Sequence, residues 1–345
     1  MTNKALNSKL VFGTSYNPWY NLAVEEYLIK HIGKQDIILY LWQNDNTVVI
    51  GRNQNAWQEC HIEDLRRAGG KLARRLSGGG AVFHDLGNLN YTLLMKKKFY
   101  NLEEQLIVIV RALNNLGIEA EFSGRNDIVC CGKKISGNAF YYGTKGAYIH
   151  GTVLVDTDLD KLTSYLKVSS EKIKSKGIDS VKSRVMNLTD IDNNLTVAQV
   201  KDSIQASFQE SYNQEQPLTE INIDPTEEKL QELYDKYSDW DWRFGATPDC
   251  DISIDNHFTW GEVEINLKLA NGYIEQATIY SDAMYSDLIE QISVALEERP
   301  FKLKVILATV EDVFANYQFP TKINENQLAK EFITWFKSEL EEVIF

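Results

Sequence analysis

Three consecutive glycines sit in the stretch Arg74-Arg75-Leu76-Ser77-Gly78-Gly79-Gly80-Ala81-Val82-Phe83-His84-Asp85 and constrain this part of the chain more than any other feature. They lack Cβ atoms, so a ligand can approach the backbone closely and the amides can turn toward it. Val82 and Phe83 favour strand, as does Asn90-Tyr91-Thr92-Leu93-Leu94, which places the glycines on a turn between ordered elements. Two arginines stand just before that turn. Amides together with guanidinium groups make a trap suited to a phosphate or a carboxylate. A flexible surface loop is the plainer reading of the glycines taken alone.

The rest of the chain mixes strands and helices without a regular β–α–β rhythm, which argues against a doubly wound sheet. Asn17-Pro18 followed by Trp19, Ala23 and Tyr27 predicts a capped helix with proline at its first position. Residues 37–42 and 47–50 read as strands joined by Asn44-Asp45-Asn46. Leu102, Leu106, Ile109, Leu113 and Leu116 fit one helix face, and further strands are expected at 118–122, 128–131, 134–142 and 147–155. Past a turn-rich Gly245-Ala246-Thr247-Pro248-Asp249 segment, Val263, Ile265, Leu267 and Leu269 alternate as in a half-buried strand. Asn271-Gly272 then predicts a hairpin into a return strand over 273–280. Leu288, Ile292 and Leu296 repeat at helical spacing, and a last helix carries Leu328, Phe332, Trp335 and Leu340. The expected architecture is α+β: a mixed sheet with flanking helices over 1–245, a linker over 246–254, and a small α+β domain over 255–345.

At 345 residues the chain can support two domains and a sizeable core. No apolar run reaches the ~18 residues of a membrane span, and the start lacks a signal-peptide core, so neither a membrane nor an export role is expected. The cysteines Cys60, Cys130, Cys131 and Cys250 form no zinc or redox motif, and a reducing cytoplasm is the simplest compartment. A net charge of −13 argues against nonspecific nucleic-acid binding. The acidity is uneven. From Asp251 to Phe345 there are 17 acidic and 7 basic residues, against 32 and 29 in the first 250. Within the near-neutral part, Arg66, Arg67, Lys71, Arg74 and Arg75 cluster beside the glycines, either as a solvated face or as local positive potential for an anion such as ATP.

Further motifs join the glycine stretch. Residues 124–139 read Gly124-Arg125-Asn126-Asp127-Ile128-Val129-Cys130-Cys131-Gly132-Lys133-Lys134-Ile135-Ser136-Gly137-Asn138-Ala139, and His150-Gly151-Thr152 follows. Trp42 with Thr47-Val48-Val49-Ile50-Gly51-Arg52 precedes them. Lys176-Gly177-Ile178, Ser180-Val181-Lys182-Ser183-Arg184-Val185 and Asn187-Leu188-Thr189 come later, then Trp242, Phe244-Gly245 and Phe258-Thr259-Trp260-Gly261. In this order the set resembles the lipoate–protein ligase family, within the biotin/lipoate ligase superfamily, over almost the whole chain. The resemblance implies a biotin/lipoate ligase-like fold with a C-terminal accessory domain that assists adenylation.

Lys134 is the first candidate for chemistry. A lysine ammonium is a compact charge that can touch a carboxylate and a phosphate together, which is the central difficulty in making an acyl-adenylate. A solvated turn lysine is the alternative. By resemblance the family's essential lysine immediately precedes Ile-Ser-Gly, which selects Lys134 over Lys133. Arg75 can fork onto the α-phosphate or the carboxylate, or form a surface ion pair. The amides of Gly80, Ala81, Val82 and Phe83 can hold the nucleotide, with Phe83 equally readable as core. The resemblance further implies a lipoate site formed by Lys134, Arg75, Trp42, Gly79, His84 and His150. His84 reads better as support for the loop, and His150 as shaping the pocket wall. Trp42 offers an apolar surface for the lipoyl chain or the adenylate plane. Asp127 can hold Mg²⁺ through oxygen or simply cap a turn.

The expected activity is ATP-dependent formation of lipoyl-AMP, then transfer of the lipoyl group to a lysine of a lipoyl-domain protein. Such partners are 2-oxoacid dehydrogenase E2 subunits and the glycine cleavage H protein, with the ligase acting as a monomer. The enzyme rival is an octanoyl- or lipoyl-transferase with a cysteine nucleophile. No thiol lies beside His150-Gly151, and Cys130-Cys131 sits in an apolar strand, which favours an inert thiol. A non-catalytic lipoyl-AMP- or carrier-binding protein is the remaining alternative, against which Arg75, the triple glycine and Lys134 all count.

Overall fold

The computed structural model describes residues 6–123, 126–167, 184–212, 218–245, 250–320 and 325–344. They form two compact units. The first comprises 1–50, 56–74 and 81–243; the second comprises 51–55, 75–80 and 244–345.

The first unit is built on an eight-stranded mixed sheet. Its strands are β1 (Asn7–Phe12), β2 (Asp36–Trp42), β6 (Asn88–Met95), β7 (Glu121–Phe122), β8 (Asp127–Cys130), β9 (Lys133–Tyr142), β10 (Ala147–Leu154) and β11 (Thr219–Glu220), in the order β11-β1-β2-β6-β10-β9-β8-β7. β1 runs parallel to both its neighbours, and the pairs from β2 to β7 are antiparallel. β3 (Thr47–Ile50), β4 (Lys71–Arg74) and β5 (Val82–His84) make a separate small sheet in the order β4-β3-β5. Every residue of β2 and β6 is buried, so these two strands are covered on both faces and do not alternate between core and solvent. The mixed sheet expected from the sequence is present. The strand expected over 118–122 shrinks to Glu121–Phe122: Ile118 and Ala120 are buried individually, and the Ala120 amide turns back onto the Ile118 carbonyl and so makes no ladder bond.

The four longest helices of this unit among the described residues are α1 (Pro18–Lys30), α2 (Leu102–Asn115), α3 (Val197–Tyr212) and α4 (Glu228–Ser238). α1 starts where the sequence predicts, because the Asn17 side chain accepts from the Trp19 amide and Pro18 occupies the first turn. Its Glu26 is buried against α4, where Lys236 Nζ and Tyr237 Oη donate to the carboxylate at 2.7 and 2.8 Å. Burial alone would raise this carboxyl, but Lys236, with Lys30 and Tyr237, outweighs it and holds Glu26 below the usual carboxylate range. α2 and α3 lock together through Ser203 and Ser207, whose hydroxyls each donate at 2.7 Å to carbonyls of α2, at Ala112 and Val108.

The second unit carries a three-stranded meander, β12 (Ile252–Phe258), β13 (Gly261–Ala270) and β14 (Tyr273–Ser281), and the helices α5 (Ser286–Leu296), α6 (Leu303–Asn316) and α7 (Glu325–Ile344). Asn271 and Gly272 both take positive φ, 52° and 80°, which is the geometry a two-residue hairpin turn requires. Val263, Ile265 and Leu267 point into the core. A bulge between Lys268 and Leu269 takes Leu269 out of that alternation and leaves it only partly buried. On α7, Leu328, Phe332, Phe336 and Leu340 are buried, so Phe336 takes the inward position that the sequence pattern assigns to Trp335. α6 is an element the sequence reading did not anticipate.

Candidate active site

One face of the large sheet is polar where a buried sheet should be apolar. β6 contributes Asn88, Asn90 and Thr92, each at most 1% exposed. Their spacing of two sends all three side chains to the same side. Residues directly opposite one another in a ladder share a face, so the strand registers set out rows across the sheet. One row holds Tyr40, Thr92, His150 and Ala139; the next holds Trp42, Asn90 and Thr152. Thr152 Oγ1 accepts from the Gly137 amide at 3.2 Å, which extends that second row to β9.

α1 covers the first row with a carboxylate. Glu25 is 1% exposed, and its Oε1 accepts from Thr92 Oγ1 at 2.8 Å and lies 2.8 Å from His150 Nδ1. Thr92 Oγ1 in turn accepts from Trp42 Nε1 at 3.1 Å. Tyr40 stacks on Trp42 with ring centroids 5.7 Å apart, and its hydroxyl donates to Asn21. Burial, and behind it the Glu25 charge, pushes the Tyr40 and Tyr148 phenols well above their ordinary range, so both stay neutral. Trp42 and His150 are thus joined by one hydrogen-bonded network. Glu25 and Thr92, which complete it, escaped the sequence reading. The period-two polar pattern Asn88, Asn90, Thr92 was the signal that could have revealed this face.

Lys134 stands at the other end of the second row. It is the second residue of β9, where a register shift in the pairing with β8 disturbs the alternation. Its backbone is bridged on the far side by the segment at Arg184–Met186: its amide donates to the Arg184 carbonyl at 2.7 Å, and its carbonyl accepts from Met186 at 3.0 Å. The side chain lies over Gly137, where a Cβ would come within 2.7 Å of Nζ. Glycine is therefore needed at 137 to give the ammonium its place. Nζ sits 2.8 Å from Asp127 Oδ1, with both side chains about one-third exposed (34% and 32%). Among the described residues no group of three His, Cys, Asp or Glu side chains forms a metal cage. Mg²⁺ commonly takes only one or two carboxylates alongside substrate phosphates, and Asp127 fits that lesser requirement.

The glycine loop belongs to the second unit, and there its glycines do different work from the open cradle expected. A side chain at Gly78 would collide with the Ala283 carbonyl, and one at Gly51 with the carbonyl of Gly79. Gly79 takes φ of 86° and donates its amide to Ala283 at 3.3 Å. Only Gly80 of the three is exposed, with open space around its α-carbon. Arg75 is 5% exposed; its Nε donates to Ser77 Oγ at 3.0 Å and its Nη2 to the carbonyls of Gly78 and Gly80 at 2.7 and 2.9 Å. In this state the guanidinium organises its own loop.

The remaining candidates fall in the first unit. Ala81 and Val82 are half-buried, Val82 pairing with Val49 of β3. Phe83 is core, 1% exposed with its ring 5.6 Å from that of Tyr165. His84 is buried; its Nδ1 lies 3.1 Å from Asn44 Nδ2 and its ring meets the edge of Trp42. The basic cluster divides: Arg66 and Arg67 are exposed, whereas Arg74 is buried and donates to the carbonyls of Trp242 and Arg243 at 2.8 and 2.9 Å. Burial pushes the Cys60 thiol up to about 12, and also raises that of Cys130. Gly124, Arg125 and residues 176–183 of the sequence motifs lie outside the described residues.

Comparison with known proteins agrees with the class this fold and site define. The model for the lipoyl protein ligase A/B catalytic domain matches residues 17–209, and that for the bacterial lipoate protein ligase C-terminus matches 247–335. The chain belongs to the lipoate–protein ligase family. Curated relatives named lipoate-protein ligase A include that of Blochmanniella floridana, 41% identical over 83% of this chain and 86% of its own, and that of Psychrobacter cryohalolentis, 38% identical over 86% and 90%. Among solved structures, P. falciparum LipL1 in complex with lipoate superposes with a TM-score of 0.80 at 28% identity, over 96% of this chain and all of that one. A bipartite lipoate protein ligase from Thermoplasma acidophilum, studied with its E2 lipoyl domain, gives 0.62 at 30% identity over 72% of this chain and all of that one. A lipoate-protein ligase A bound with ATP gives 0.59 at 29% identity, over 70% and 99%.

Proposed function

We propose that this chain activates lipoate with ATP and transfers the lipoyl group to a lysine of a lipoyl domain. The observation that carries the reading is the Lys134 ammonium, held over Gly137 beside Asp127 at the half-exposed end of a buried polar row. In the first half-reaction a carboxylate oxygen attacks the α-phosphorus and pyrophosphate leaves. Negative charge builds on the phosphoryl oxygens, and Lys134 stabilises it by electrostatics without a covalent bond to the enzyme. Asp127 is the residue that would hold Mg²⁺, and the ion would supply further neutralisation of that charge. Arg75 joins by exchanging its loop carbonyls for the carboxylate or α-phosphate, and the amides of Gly80, Ala81, Val82 and Phe83 provide donors to the nucleotide. No general base is needed, because the acid is already ionised. In the second half-reaction the lysine amine of the lipoyl domain attacks the acyl carbonyl and AMP leaves. Lipoyl domains of E2 subunits, and of the glycine cleavage H protein, are the partners, met transiently by a single ligase chain. Four unbridged thiols support a reducing cytoplasm, and among the described residues no helix is long and apolar enough to cross a membrane. Pyrophosphate release that depends on lipoate is the test; release that is absent, or indifferent to lipoate, overturns the reading.

The activated intermediate is a mixed anhydride with AMP, so transfer needs no thiol. The raised thiols of Cys60 and Cys130 support this, since a thiolate is the nucleophilic form. A variant with all four cysteines replaced by serine or alanine should lipoylate a lipoyl domain with AMP formed in step with product. Normal adenylation with lost transfer, together with a trapped acyl-cysteine in the parent, would convert the assignment to a transferase.

A division of labour follows the chain, with a catalytic domain over 1–245, a linker over 246–254 and an accessory domain over 255–345 that assists adenylation. Brief proteolysis should cut first near the linker and give two resistant fragments on a denaturing gel. Scattered early cleavage throughout 1–245 would remove this boundary.

A further inference from the structure

Two side-chain atoms on the polar face of β6, Asn88 Oδ1 and Asn90 Nδ2, are not satisfied by the described residues around them. Asn90 is 1% exposed; its Oδ1 accepts from Asn88 Nδ2 at 2.9 Å, but its own Nδ2 is buried with no hydrogen-bond partner among the described residues. An unpaired buried donor is costly unless something is meant to meet it. Asn90 stands between Trp42 and Thr152, and Thr152 is bonded to Gly137, over which Lys134 lies. Strands are spaced by about 4.8 Å, so Asn90 is roughly 10 Å along the row from Gly137 and one strand short of Trp42.

The row has a direction. Its Lys134 end is cationic and half-exposed; its Trp42 end is aromatic and buried. The Glu25 carboxylate, buried beside the Trp42 end through Thr92, repels a ligand's acid group from that side. An acid of eight carbons therefore lies with its carboxylate at Lys134 and its tail toward Trp42. With C–C bonds of about 1.5 Å its far end reaches the neighbourhood of Asn90. We infer that Asn90 selects the dithiolane of lipoate over a plain octanoyl tail, by giving its Nδ2 hydrogens to the ring sulfur. Sulfur accepts weakly, yet an octanoyl tail offers no acceptor at all and leaves the donor buried and unpaired.

This inference rests on the ligase reading, and the two fail in different ways. Pyrophosphate release from the parent with lipoate or octanoate tests the reading; the ratio of kcat/KM for the two acids tests Asn90. In Asn90→Leu, which removes the donor at similar volume, kcat/KM for lipoate should fall roughly tenfold, while octanoate is used as well as before or better. Retained octanoate activity also shows that the variant folds. If that variant does not fold, Asn90→Ala, which also removes the donor, and direct calorimetric binding of lipoate and octanoate supply the same comparison. Parallel losses with both acids, or no change with either, overturn the assignment.

Discussion

Lys134→Ala should lower lipoate-dependent pyrophosphate release by two to three orders of magnitude, which corresponds to roughly 3–4 kcal/mol of lost transition-state stabilisation. The fold should survive. The ion pair with Asp127 is about one-third exposed on each side (34% and 32%), and pairs of that kind are worth on the order of 0–1 kcal/mol. Lys133 is the internal control. It is exposed, and its place in the ladder is opposite Cys130, so Lys133→Ala should change the rate only a few-fold. A lysine that acted merely as a surface charge would show equal, small losses at both positions. Equal, large losses would show that the hairpin matters and not one ammonium. Circular dichroism on both variants separates misfolding from lost chemistry.

Phe332→Ala should destabilise the second unit by about 3–5 kcal/mol, the range for deleting a fully buried phenyl ring. Phe332 is 0% exposed and sits among the rings of Phe258, Trp260, Phe314, Trp335 and Phe336, with centroids 5.5 to 6.4 Å away. Little in that surround can collapse into the space, because each ring is held by others: Phe258 stacks on Trp260 at 4.6 Å and meets Trp335 edge-on at 5.4 Å. Hydrogen exchange of the β12 to β14 amides reports the loss directly, since these strands form one meander with its own core. A change below 1 kcal/mol would mean that this cluster is not the centre of the unit. Adenylation should decline in proportion to the unit's unfolded fraction if it assists that step.

Local chemistry was readable where a few adjacent residues decide the outcome. The Asn17 cap with Pro18 and the Asn271-Gly272 hairpin are both set by φ preferences and one or two hydrogen bonds, and both are present. Lys134 and Asp127 were singled out by their motif, but their ion pair depends on the pairing of β8 with β9. What the sequence withheld needs register. Asn88, Asn90 and Thr92 look like scattered polar residues until β2 and β10 align Trp42 and His150 beside them. Glu25 looks like a solvated helix residue until α1 lies on that face. The close packing at Gly78 is hidden for a related reason: the Ala283 carbonyl that excludes a side chain there lies some two hundred positions further along the chain.

The second unit is discontinuous, and this has a consequence for cutting and grafting the protein. Its contacts gather residues 51–55 and 75–80 with 244–345. The Ser281 amide donates to the Asn53 carbonyl at 2.8 Å, Asn53 Nδ2 donates to the Ser286 carbonyl at 2.8 Å, and Ser286 Oγ donates to Leu76 at 3.2 Å. A gene truncated to begin at position 244 would encode a body with two of its own loops missing and the backbone donors and acceptors that meet them left bare. Transplanted onto another scaffold, the segment should misfold or aggregate unless both short loops travel with it. A ligase nicked at the linker should for the same reason run as one particle under native conditions, held together by those loops although its peptide chain is broken.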